Sequence, residues 1–187
     1  MNKIGIFFGT DSGTTRLISK KMAKIIGDKA SKPLNVNRIS ADELLQYDSL
    51  ILGTPSYGEG DLPGIATGIP AGSWEEFMPQ LEGKDFSGKR IALYGLGNQD
   101  KYGERFVDSL IKLYSKFTEL GAEIIGQWPI EGYDFEASKS IVDGQFVGLV
   151  LDQQNQALLT DDRMKIWLDQ VTPVLLDNMA VQQAQAV

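Results

Sequence analysis

Phe7 to Thr15 reads FFGTDSGTT. The apolar run from Lys3 to Phe8 has the length of a buried strand, and it stops at Gly9. Small and polar residues follow. From Thr14 to Gly27 the apolar residues fall at Leu17, Ile18, Met22, Ile25 and Ile26, the spacing of a helical stripe. A strand that passes through a short glycine-containing turn into a helix opens a βα unit.

The alternation continues down the chain. Leu34 to Arg38 alternates like an edge strand, and Ser40 with Glu43 forms a capping box for a short helix through Tyr47. Ser49 to Thr54 is a buried strand. Ser73 and Glu76 form a second capping box before WEEFMPQL. Arg90 to Leu96 is a strand, Gly103 to Leu120 a long amphipathic helix, and Glu123 to Gln127 begins another strand. Asp161 to Met179 is the closing helix, and the tail over 181–187 reads as frayed. Strands alternating with helices predict an α/β doubly wound fold. Its parallel sheet has five strands in the order 2-1-3-4-5, with helices on both faces. Residues 1–187 read as one domain. Two stretches exceed a minimal five-strand unit. They are Leu62 to Gly72 and the stretch from Trp128 to Phe146, which lies between two apolar runs that look like halves of the last strand.

The composition narrows the chemistry. The chain of 187 residues has 18 basic and 25 acidic side chains, a formal charge of -7, which argues against a nucleic-acid ligand and for docking to basic partner surfaces. It has no cysteine and no histidine, so thiolate metal sites, disulfides, cysteine nucleophiles and the usual general base are all excluded. The chemistry is therefore expected from a bound group. No apolar run reaches membrane-spanning length, and KIGIFF begins without a signal-peptide pattern. The expectation is a cytoplasmic monomer with no membrane partner.

In such sheets ligands bind beyond the carboxyl ends of the strands, where the strand order reverses. Three loops should meet there. TDSGTT, Thr10 to Thr15, leads into a helix N-terminus, where unpaired N–H groups and the dipole favour an anion. Its hydroxyls, and the absence of a G-K-[ST] lysine, suit a terminal monophosphate; an ordinary βα turn with a Ser or Thr cap has the same spacing. TPSYGEG, Thr54 to Gly60, places Tyr57 at a strand end. LGNQDKYGER, Leu96 to Arg105, adds Tyr102, with small Gly97 allowing close backbone approach. Either tyrosine alone suits a core cap. Two beside one crevice and a phosphate nest describe a flat ring with a phosphate tail.

These motifs resemble the long-chain flavodoxins, small electron carriers that bind FMN, over nearly the whole chain. Their fold is the flavodoxin-like sandwich, itself a standard example of the 2-1-3-4-5 order. TDSGTT is similar to the family's phosphate loop, GTPSYGEG to its first ring loop and GLGNQDKY to its second. Glu131 to Gln156 is similar to the long-chain insertion, here about 128–146 within the last strand, and its return strand. Leu62 to Gly72 followed by SWEEF is most similar to the nitrogen-fixation-associated type. The resemblance implies that Thr10, Asp11, Ser12, Gly13, Thr14 and Thr15 hold the FMN phosphate. It implies that the ring lies against Thr54, Pro55, Ser56, Tyr57, Gly58, Glu59 and Gly60 on one side and Leu96, Gly97, Asn98, Tyr102 and Arg105 on the other, sandwiched by Tyr57 and Tyr102. Asp152 is a candidate ribityl contact. No catalytic residue and no metal are implied.

The implied function is low-potential one-electron transfer between semiquinone and hydroquinone. Flipping of the Gly58 carbonyl toward the ring would favour the half-reduced state. An uncompensated acid about 8 Å away at an effective dielectric near 20 costs roughly 2 kcal/mol, or about 80–90 mV; Asp11, Glu59 and Asp61 are the candidates. Partners would be basic-surfaced redox proteins, a reductase as donor and an acceptor such as nitrogenase reductase. Asn98 and Arg105 depart from the family pattern, and Arg105 is expected to point outward. An FMN-dependent quinone reductase of the same fold is the alternative function.

Overall fold

A computed structural model describes residues 3–10 and 13–185. The main sheet is built from β1 (Gly5–Phe8), β2 (Leu34–Asn35), β3 (Ser49–Pro55), β4 (Arg90–Leu96), β5 (Glu123–Ile125) and β9 (Leu149–Leu151). Its order is β2-β1-β3-β4-β5, all parallel, as the alternation of elements predicted. Strand β9 also pairs with β4, in line with β5. β5 takes Arg90 to Ala92 and β9 takes Tyr94 to Leu96, so the two short strands share one edge of β4.

The pleat distributes the strand side chains between two cores. Ile51, Ala92 and Tyr94 face one side, where α1 (Thr14–Ile26) and α5 (Thr160–Gln185) bring Ile18, Met22, Trp167, Leu168 and Leu175. Leu50, Leu52, Ile91 and Leu93 face the other, against α2 (Ala41–Leu45), α3 (Trp74–Phe77) and α4 (Ser109–Glu119), with Leu44, Trp74, Phe77, Leu113 and Phe117. Every strand of the sheet centre is thus covered on both faces, which is why its runs read as continuously apolar.

Several boundaries differ from the sequence reading. The second strand stops at Asn35, because the Asn35 side chain accepts a hydrogen bond from Asn37 N and turns Val36–Arg38 into a 3-10 turn. The long helix starts at Ser109 rather than Gly103, because Val107 adopts φ 51, a left-handed conformation that interrupts any helix. The short second helix ends at Leu45. The closing helix runs on to Gln185, across residues assigned to the tail. In α1, Leu17 and Ile25 are exposed, and the buried stripe is Thr15, Ile18, Ser19 and Met22. The capping box at Ser40 forms both arms. At Ser73 only the reverse arm forms: Glu76 accepts from Ser73 N at 2.7 Å, while the Ser73 hydroxyl has no partner among the described residues.

Between β5 and β9 the chain forms a small antiparallel sheet, β6 (Trp128–Pro129), β7 (Ile141–Val142) and β8 (Gln145–Phe146), in the order β6-β8-β7. This unit braces the loop after β4. The N–H groups of Glu136 and Ala137 bond Gly103 O, Phe106 N bonds Ala137 O, and the hydroxyls of Ser138 and Ser140 bond the carbonyls of Phe106 and Val107. Phe106 packs among Tyr133, Phe135 and Phe146. Burial pushes the Tyr133 hydroxyl up to about 12, although the Arg163 guanidinium over its ring acts the other way. Its proton stays in place, donated to Val150 O at 2.6 Å.

Candidate functional site

The three loops named from the sequence converge at the carboxyl ends of β1, β3 and β4. Their shared cleft is lined by Thr14, Pro55, Ser56, Tyr57, Gly58, Gly60, Leu96, Gly97, Asn98, Tyr102 and Arg105. Tyr57 and Tyr102, both half-buried, therefore flank one cavity. The loops are fastened to each other. Ser56 N bonds Leu96 O, and at the start of α4 Ser109 N and its hydroxyl meet the Ser56 hydroxyl and Pro55 O.

The first loop ends at Gly13, whose φ of 90 is open to glycine and turns the chain into α1. Gly13 N donates to the Thr10 hydroxyl at 3.2 Å. The first intrahelical bond reaches Leu17 N from Gly13 O, so the N–H groups of Thr14 to Arg16 lie ahead of the helical ladder. Thr15 is 1 % exposed, and its hydroxyl oxygen is buried with no hydrogen-bond partner among the described residues. An orphaned hydroxyl at a helix N-terminus is a costly arrangement unless a ligand completes it. Tyr94 holds this turn from below, its hydroxyl donating to Thr15 O at 3.1 Å. The Tyr94 ring occupies the space a side chain at Gly53 would need: a Cβ there would sit 2.0 Å from Tyr94 Cζ. Burial raises the Tyr94 hydroxyl well above its ordinary value, so it stays a donor. Asp11 and Ser12 lie outside the described residues.

The second loop is a tight turn in which Tyr57 and Asp61 exchange backbone hydrogen bonds, with Gly58 at φ 49 and Gly60 at φ 86. A Cβ at Gly60 would lie 2.6 Å from Asp108 Cβ. Glu59 projects from the tip and does not line the cleft; its carboxylate pairs with Arg105. Arg105 turns inward, against the outward expectation. It lines the cleft, its side chain is 27 % exposed, and Nε is buried without a partner among the described residues. The Glu59 carboxylate across the cleft mouth holds it there, and Glu104 stands 3.7 Å from it. Asp61 is likewise paired, with Lys112 at 2.8 Å. Two of the acids expected to depress a potential thus carry a cation on them.

Other expected residues have structural work of their own. Thr54 is fully buried, bonding Pro55 O, outside the cleft. Gly97 is small because a Cβ would collide with Val107 and Phe106 at 2.6 and 2.7 Å, although its backbone lines the cleft. Asp152 is fully buried and does not reach the cleft. Its carboxylate accepts from Gln99 N, Gln154 N, Asn155 N and Asn155 Nδ2, so it ties the loop after β4 to the loop after β9. Val107, Gln153 and Gln154 line the cleft without having been expected. The polar run at the end of β9 was the available signal for the glutamines. The left-handed turn that presents Val107 left none.

The family profile described as flavodoxin matches residues 6–167. A flavodoxin of Klebsiella pneumoniae is 44% identical over 176 residues, covering 94% of this chain and 100% of that protein. One from Helicobacter pylori is 42% identical over 91% of this chain and 97% of its own length. The crystal structure of Fusobacterium nucleatum flavodoxin bound to flavin mononucleotide superposes with a TM-score of 0.84 at 32% identity, over 94% of this chain and 99% of that one. Profile, sequence relatives and fold agree with the converging loops: the chain belongs to the flavodoxin family.

Proposed function

We infer that this flavodoxin is a one-electron carrier built on non-covalently bound FMN, and an electron-transfer protein rather than an enzyme. Bound FMN supplies a centre that takes up and releases electrons singly. The residues present fit it. The observation that carries the reading is the buried Thr15 hydroxyl at the start of α1, unpartnered among the described residues, next to a cleft lined by Tyr57 and Tyr102. A phosphate there would accept from the Thr15 and Thr14 hydroxyls and from the N–H groups ahead of the helical ladder. The Thr10 hydroxyl, already an acceptor for Gly13 N, keeps its proton free to donate. Tyr57 and Tyr102 would stack on the ring and exclude water from its faces. Backbone groups of Gly58, Gly97 and Tyr102 would meet its polar edge. Asn98 stands at the same edge, held by Lys101 N and Asn155 Nδ2 on its carbonyl oxygen. Arg105, bridged to Glu59, would close the cleft mouth and partly offset nearby acids.

A carrier requires redox partners. The net charge of -7 favours basic-surfaced ones, and the Leu62–Gly72 stretch supports an acceptor such as nitrogenase reductase. Among the described residues no helix is long and apolar enough to cross a membrane. A monomer working in the cytoplasm is part of the same proposal. Titration of apoprotein with FMN should saturate at one per chain, and stepwise reduction should then resolve two one-electron steps. A protein that takes up no FMN, or that passes straight to the two-electron state, defeats the reading.

A further inference from the structure

A second cleft opens on the far side of the first loop. It is lined by Arg16 and Lys20 on α1, Lys32 ahead of β2, and Arg38 at the end of the turn after it, with Thr10 and Asn35 between them. It measures about 320 Å³, larger than the ring cleft at about 210 Å³. At about 30 Å³ per water it has room for a hydrated polyatomic ion. No carboxylate lines it among the described residues, and none of its four cations has an ion pair among them. Most of the other described cations are paired, although Lys3, Lys24, Lys29, Lys101 and Arg163 are not. Lys21, one residue along α1, is paired with Asp161, and Lys84, Arg90, Arg105, Lys112 and Lys116 all hold carboxylates. Asp11, between the lining residues Thr10 and Gly13, lies outside the described residues; among the described ones the four cations, all exposed, share one concave surface with no carboxylate on it, and an anion bound there would relieve their mutual repulsion.

The walls are held in place. Asn35 Nδ2 reaches Thr10 O at 3.5 Å while its carbonyl oxygen takes Asn37 N, so the turn bearing Arg38 is tied to the first loop. Arg16 and Lys20 stand one helical turn apart on one face of α1. Thr10 and Gly13 belong to this cleft and to the first loop alike. Phe8, Pro33 and Leu34 add an apolar floor.

We propose that this cleft is a second phosphoryl-binding site, adjoining the one that takes the FMN phosphate. Two sources supply that chemistry. One is a free phosphate or pyrophosphate ion bound beside FMN. The other is the adenylate half of a flavin dinucleotide, whose second phosphate would cross Thr10 and Gly13 into the cationic walls. An acidic protein surface is the competing occupant, and the concavity of the cleft and its continuity with a phosphate loop favour the small anion. The inference rests on the FMN reading only for its neighbour, since the cations stand whether or not FMN binds.

The test titrates FMN-loaded protein with inorganic pyrophosphate by calorimetry and by phosphorus NMR, and titrates apoprotein with FAD and FMN. Lys32→Gln/Arg38→Gln, both surface changes, is the comparison variant, checked for folding by circular dichroism. Saturable submillimolar pyrophosphate binding, weakened at least tenfold in the variant, supports the site and a free-ion source. FAD affinity lowered at least tenfold in the variant, with FMN affinity little changed, supports the dinucleotide source. No saturation by pyrophosphate and no variant effect on FAD overturns the proposal, as does binding that the variant leaves intact. If FMN itself fails to bind, pyrophosphate titration of the apoprotein against the variant still decides the site.

Discussion

Thr15→Val separates what the orphaned hydroxyl does in the empty protein from what it does for a ligand. The valine side chain has the shape of threonine and removes only the oxygen. In the apoprotein that oxygen is buried without a partner among the described residues, so its loss should stabilise the fold. At the low end of the penalty for an unsatisfied buried group the gain is about 1 kcal/mol. With a urea slope of about 2 kcal/mol/M, the unfolding midpoint should rise by roughly 0.5 M. The effect on FMN runs the other way. A hydrogen bond to a charged group contributes about 1.5–3 kcal/mol, so FMN should bind about 10- to 150-fold more weakly. The upper half of that range is expected, because the hydroxyl is already desolvated before the phosphate arrives. Riboflavin, which lacks the phosphate, should bind the variant as it binds the parent. Urea unfolding of the apoprotein and flavin fluorescence titrations with both ligands read all three quantities. An apoprotein that loses stability would show that the hydroxyl already has a partner. Equal weakening of riboflavin and FMN would show that Thr15 does not face a phosphate.

Arg105→Asn should lower the potential of the second one-electron couple, because Glu59 loses its counter-charge. A unit charge about 8 Å away at an effective dielectric near 20 gives at most roughly 90 mV, and with Glu59 largely in solvent about half of that is expected. A potentiometric titration that finds no shift would return Arg105 to the surface. Asp152→Ala leaves the N–H groups of Gln99, Gln154 and Asn155 without their acceptor and should cost about 3 kcal/mol in urea unfolding; a neutral result would mean that water replaces the carboxylate freely. Burial pushes the Glu76 carboxyl up, but the N–H groups of Ile65 and Ser73 hold it below its ordinary value of 4.5. Its folded-state affinity for a proton is thus lower than in the unfolded chain, so its contribution is full above 4.5 and disappears as pH falls through the lowered value. The stability gap between parent and Glu76→Gln should therefore be present at pH 7 and close on acidification. A gap that is constant with pH would assign the effect to packing.

Local pattern determined the architecture of this protein. Strand-length apolar runs, helical stripes and glycine turns suffice for a doubly wound sheet, because each element must bury its own face against the next. The three cleft loops and both tyrosines were legible for the same reason: they follow strand ends, and the topology brings all strand ends of one sense to one side. Tertiary contacts decided the rest. Val107 breaks the predicted long helix because the 126–148 segment captures the carbonyls of Gly103, Phe106 and Val107, a contact thirty residues away in sequence that no local propensity contains. Arg105 turns inward because Glu59, on another loop, stands across the cleft. Asp152, expected as a ribityl contact, also accepts from backbone donors of two loops, a role that its position in the chain did not reveal. The cationic cleft joins Arg16 and Lys20 on a helix to Lys32 and Arg38 beyond it, residues whose spacing in the chain says nothing of their convergence. Periodicity records which face of an element is buried; the direction and partner of a long polar side chain are set by charges and backbone groups that arrive from elsewhere in the fold.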